Sequence, residues 1–131
     1  MRSGVGPALR RIWFPQWSVG TVSWLLHRIT GVMLAIYLVP HFLTINKSRL
    51  GPAAFDSELA TYSGPFYAAA EYVLVAAVTF HLFNGLRITA VDLFDLSHRQ
   101  RLLFGLVLAA CLAVLLAASL IFVPRILAPV S

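Results

Sequence analysis

Three of the four histidines in this sequence, His27, His41 and His81, stand inside apolar runs, where an imidazole has little water to bond. The richest constellation is the stretch Phe80 to Asp92, FHLFNGLRITAVD. On a helix advancing about 100° per residue, His81, Gly85, Ile88 and Asp92 share a narrow arc, so one face offers an imidazole, a notch and a carboxylate. Such a face suits a flat ligand. A neutral imidazole in hydrocarbon needs a hydrogen bond or a metal, and of the metals open to a single histidine, haem iron fits best. Its second axial ligand can come from another helix, the porphyrin supplies apolar surface, and Gly85 lets a macrocycle approach the backbone. The other reading of His81 is a packing residue bonded to a neighbouring carbonyl. Asp92, about 16 Å along the same face, either hands protons to a reducible ligand or ends the helix. Arg87 does not share a face with Asp92 and either snorkels to the surface or points at protein, cofactor or water.

A second constellation precedes it. At helical spacing Ser23, His27, Gly31, Leu34, Leu38 and His41 fall close to one stripe, with His27 and His41 about 21 Å apart at a rise of 1.5 Å per residue. Two imidazoles on one stripe, one near each leaflet, are hard to explain by packing; the bland alternatives are that His27 sits at the interface and His41 closes the outer end beside Pro40.

These residues need membrane helices to hold them. Of 131 residues 60% are hydrophobic and 11% charged, well below the usual quarter for a soluble domain. A spanning helix takes about 20 mostly apolar residues, and three stretches qualify, at 22–45, 65–95 and 101–124. The expectation is one domain over 1–131: an all-α integral membrane protein whose three transmembrane helices form a bundle. The third stretch has no charge between Leu102 and Pro124, and Pro124 is expected to end it. Its Gly105, Ala109, Ala113 and Ala117 recur every four residues, a ridge on which another helix can pack closely. Cys111 is the only cysteine, which excludes a disulfide within the chain and leaves it a small hydrophobe.

The net charge of +5 is spread over helix ends, so topology explains it better than nucleic acid, for which no role is expected. Arg2, Arg10 and Arg11 before the first helix and Arg99 and Arg101 between the second and third outnumber Lys47, Arg49 and Arg125, which favours a cytoplasmic N-terminus. The arm 1–21 lacks the pattern of a signal peptide and is expected to lie in the interface, with Trp13, Phe14 and Trp17 at headgroup depth. Between the first two spans, Pro52 to Ala60 could form a short surface helix, and Ser63 before Gly64-Pro65 is expected to start the second span. Asp95, Ser97, His98, Arg99 and Gln100 read as a solvated turn.

Ser23-x-x-x-His27-Arg28-Ile29-Thr30-Gly31 and His81-x-x-Asn84-Gly85-x-Arg87-x-x-x-x-Asp92 resemble the cytochrome b membrane-anchor subunit of succinate dehydrogenase, over most of the chain. The resemblance implies a subunit of the cytoplasmic membrane that pairs with a second three-helix anchor subunit. The two would hold haem b and a quinone, menaquinone or ubiquinone, beneath an iron–sulfur subunit fed by a flavoprotein that oxidises succinate. It implies that His81 is an axial haem ligand, and that the partner anchor supplies the other. His27 and Arg28 then lie near haem propionates and quinone, with Arg28 orienting a quinone carbonyl and Asp92 aiding protonation. The family often has serine where this chain has Trp24, and Ser23 stands one place earlier, some 100° round the helix. Ile88 replaces a frequent histidine. His41 has its parallel in two-haem relatives, so the implied haem count is one or two. No catalysis by this chain alone is expected, and a quinol:fumarate reductase anchor or a haem-free structural anchor are the competing readings.

Overall fold

The computed structural model describes residues 18–128, all of its regular structure helical. Helix α1 spans Val19–Lys47, α2 Pro52–Thr61, α3 Pro65–Phe94 and α4 Gln100–Leu127, with single 3-10 turns at Ser48–Leu50 and Ser97–Arg99. α1, α3 and α4 are long and apolar enough to cross a membrane, so the chain is an all-α, multi-pass membrane protein. The residues Trp13, Phe14 and Trp17, expected at the interface, lie outside the described residues.

Local chemistry sets the helix ends. Ser18 precedes α1 with extended backbone, and its Oγ accepts from the Thr21 N–H at 3.2 Å, so the helix begins three residues before the apolar run at 22. α2 and α3 share a start signal: Gly51 and Gly64 take φ of 104° and 110°, which a side chain resists, and each is followed by proline in the first turn. Ser63, expected to open the second span, turns back instead, its hydroxyl donating to the Ala60 carbonyl at 2.7 Å at the end of α2. α3 closes at Phe94 because Asp95 enters the left-handed region at φ 49°.

Contrary to expectation, Pro124 does not end α4, which continues to Leu127. Proline removes the N–H that would bond the Leu120 carbonyl, but only one further turn depends on it. That turn is held from the side. Arg125 Nη1 donates to Glu71 Oε2 at 2.9 Å, and its guanidinium lies 5.4 Å from the Phe122 ring centre. Both ends of this ion pair are nearly half exposed, at 46% and 44%. Glu71→Gln should therefore move the thermal midpoint of the purified protein only slightly, by less than about 1 kcal/mol of stability.

The spanning helices run up, down and up. Gly20, at the start of α1, lies near the Gln100 side chain at the start of α4, while Tyr72, early in α3, donates its hydroxyl to the Leu115 carbonyl of α4 at 3.1 Å. α3 makes its longest contact with α4, where Ala68, Ala77, Val107 and Cys111 are the buried apolar side chains. Small residues there let the helices close together without a bulky core, the usual device where lipid gives no hydrophobic drive. The ridge of Gly105, Ala109, Ala113 and Ala117 is exposed, on faces of α4 that the other described residues leave uncovered.

Candidate functional site

α1 and α3 cross through a polar contact. Its centre is a pair of imidazoles, His27 from α1 and His81 from α3, stacked with ring centres 3.9 Å apart and planes 9° from parallel. Each ring rests on a glycine of the opposite helix. A Cβ added to Gly31 would come within 3.1 Å of His81 Cε1, and one added to Gly85 within 3.3 Å of His27 Cε1. The notch legible in the sequence at Gly85 thus receives the other helix's histidine, and Gly31 returns the arrangement. Gly31→Val should overpack this contact and cost about 1–3 kcal/mol, read as a lower thermal midpoint, while Gly85→Ala should cost less.

The hydrogen bonds fix the tautomer of His81. Its Nδ1 lies 3.2 Å from the His27 carbonyl oxygen and 3.1 Å from Thr30 Oγ1. The single Thr30 hydroxyl hydrogen is already directed at the Leu26 carbonyl (2.9 Å) or the His27 carbonyl (3.0 Å), so toward His81 the hydroxyl oxygen is an acceptor. Both neighbours of Nδ1 accept. Nδ1 therefore carries the proton, assigned from this network, and Nε2 keeps its lone pair. A ring oriented through its second nitrogen, with the other free, is how proteins prepare a histidine to bind a metal. His27 differs: its Nδ1 is buried and has no partner among the described residues.

One turn toward the start of α1 lies a second layer that the sequence did not reveal. Asn84, fully buried, donates Nδ2 to the Ser23 carbonyl at 3.1 Å. Arg87 Nη1 donates to Ser23 Oγ at 2.9 Å and to Asn84 Oδ1 at 3.1 Å, with its guanidinium 5.4 Å from the Phe104 ring centre. Of the two readings open for Arg87, the structure shows the inward one: it is 8% exposed and bonded to Ser23 and Asn84. The motif contained Asn84, but the amide's role depends on which α1 carbonyl it meets.

A groove of about 390 Å³ opens beside the imidazoles, lined by His27, His81, Leu82, Gly85, Leu86, Ile88 and Thr89. Three members of the predicted face, His81, Gly85 and Ile88, line it; Asp92 does not and is exposed beyond its end. Ser23 points inward, 2% exposed, and Trp24 outward, 51% exposed, with the Arg28 guanidinium 4.1 Å over its ring. Arg28 is therefore on the outer surface of α1, held as a cation on an indole face rather than directed at the histidine pair. His41 stands apart and exposed, its Nδ1 3.2 Å from the Tyr37 hydroxyl one turn away. No cluster of three or more histidine, cysteine, aspartate or glutamate side chains forms among the described residues.

Three helices of membrane-spanning length, with a stacked histidine pair where the first and second spans cross, define a polytopic membrane protein. The comparisons narrow this. Residues 2–120 match the model of the succinate dehydrogenase/fumarate reductase transmembrane subunit, and the chain belongs to that family. It is 35% identical over 103 residues to the succinate dehydrogenase 2 membrane subunit of Mycobacterium tuberculosis, covering 78% of this chain and 76% of the relative. It is also 32% identical over 79 residues, 60% of this chain and 61% of the relative, to a succinate dehydrogenase hydrophobic membrane anchor subunit of Halobacterium salinarum. A protein of the same description from Archaeoglobus fulgidus is 28% identical over 71 residues, 54% of this chain and 61% of the relative. The chain is thus a membrane anchor subunit of succinate dehydrogenase type.

Proposed function

We propose that this anchor binds haem b and quinone and helps pass electrons from an iron–sulfur subunit to quinone in a succinate:quinone oxidoreductase. The observation that carries this reading is the fixed tautomer of His81, with Nδ1 bonded to α1 and the Nε2 lone pair uncommitted. The groove beside it is apolar except for the imidazoles and Thr89, as the edge of a porphyrin requires. Bound haem would supply one-electron chemistry at a potential set by its ligands and surroundings. His81 would hold the haem iron, and His27 would lie beside the group, its buried Nδ1 without a partner among the described residues.

Arg28 with Trp24, and Asp92 beyond the groove, form the quinone vicinity on this chain, Arg28 as a fixed donor and Asp92 as a proton source. Ser23 acts there through Arg87. A second anchor subunit would close the open side of the groove and supply the iron's remaining protein ligand, with the iron–sulfur and flavoprotein subunits on the cytoplasmic side. The chain sits in the cytoplasmic membrane with its N-terminus inside. His41, with Tyr37 bonded to its Nδ1, is the candidate ligand of a second, distal haem.

The test is a reduced-minus-oxidised spectrum of the purified complex with haem counted per protein, together with succinate-dependent reduction of added quinone. A b-type spectrum with quinone reduction is expected. A complex that reduces quinone with no Soret band would leave a haem-free anchor, a reading favoured by the close His27–His81 stack, which also makes sense as packing alone.

A further inference from the structure

Arg87 is a buried cation that no acidic side chain of this chain neutralises. The chain has five acidic residues, Asp56, Glu58, Glu71, Asp92 and Asp95, and all lie among the described residues. Glu71 is taken by Arg125, and that is the one ion pair those residues form. Glu58 accepts from the Tyr62 hydroxyl at the loop helix, and Asp56, Asp92 and Asp95 are exposed. Among the described residues the guanidinium instead meets neutral groups only: the Ser23 hydroxyl, the Asn84 amide oxygen and the face of Phe104, while its Nε is buried with no partner among them.

Hydroxyl and amide dipoles solvate the charge without cancelling it. In the low dielectric of a helix bundle such a charge is felt well beyond its contacts. Arg87 lies six residues from His81 on α3, about 9 Å along the axis, and its Ser23 and Asn84 partners prevent it from swinging out to water.

We propose that Arg87 is the fixed positive charge of the site and raises the reduction potential of the haem held at His81. This rests on the haem reading above. A positive charge near a redox centre favours the state that has gained an electron, just as it favours the deprotonated form of an acid. The same network that joins α1 to α3 thus makes the centre a better electron acceptor, and Arg87 does so as a positioning residue without touching the iron's ligand.

The experiment is a spectroscopic redox titration of the haem in the intact purified complex. Arg87→Gln should keep the haem and shift its midpoint to lower potential, and Arg87→Lys should restore most of the shift. Should Arg87→Gln fail to assemble, Ser23→Asp serves instead, since it places a carboxylate opposite Nη1 and cancels the charge with the arginine in place; its midpoint should fall too. A normal Soret band with unshifted midpoints in the variants that assemble overturns the inference alone. Absence of haem from the wild-type complex overturns both the haem reading and this inference.

Discussion

His81→Ala should abolish the haem b spectrum of the purified complex while leaving the subunits assembled. The ring makes two kinds of contact. Toward α1 it donates through Nδ1 and stacks on His27, and its Nε2 keeps a free lone pair on a ring that lines the groove. Removing it deletes the only groove-lining side chain whose tautomer is fixed for ligation, and an axial ligand sets whether haem is retained and at what potential. Alanine leaves the Ser23–Asn84–Arg87 layer untouched, so the helix crossing survives, and the separation of haem loss from assembly is the informative result. The companion variant is His41→Ala. If it leaves the haem count unchanged, one haem is bound and His41 serves its own helix with Tyr37; if each substitution removes about half, two are bound. Haem content equal to wild type in His81→Ala would sink the ligand assignment.

Asn84→Leu should give the largest loss of stability in the chain. The leucine fits the volume but removes two hydrogen bonds at once, the donor to the Ser23 carbonyl and the acceptor of the Arg87 guanidinium. A neutral bond contributes roughly 1 kcal/mol and a charged one more, and a buried cation deprived of an acceptor adds its desolvation, so a loss of about 2–4 kcal/mol follows. Asn84→Asp should recover part of it, because a carboxylate accepts from Arg87 but cannot donate to Ser23. Thermal unfolding of the detergent-solubilised complex reads both, and a midpoint for Asn84→Leu within a degree of wild type would show that the layer contributes nothing.

What the sequence revealed and what it hid divide along one physical line. Spans were legible because transfer into lipid depends on composition over about 20 residues, whatever the neighbours. The face of His81, Gly85 and Ile88 was legible because helical periodicity is local. The Arg87 network was not, since its partners stand 64 and 3 residues away, and only the register of α1 against α3 decides whether a long arginine finds acceptors or snorkels. Asp92 shows the opposite error: it is on the predicted arc, but the groove ends before reaching it. Pro124 misleads as a stop because its effect depends on what grips the next turn, here Glu71, 54 residues earlier.

The mutual seating of two rings on two glycines works as a vernier. Advancing α1 by one residue against α3 shifts it about 1.5 Å and turns it about 100°, which presents Thr30 or Val32 where Gly31 stood and unseats both imidazoles together. No intermediate setting satisfies one ring and spares the other. The register of the two spans, and with it the depth of whatever group the proposed haem site would hold, is indexed by two absent methyl groups.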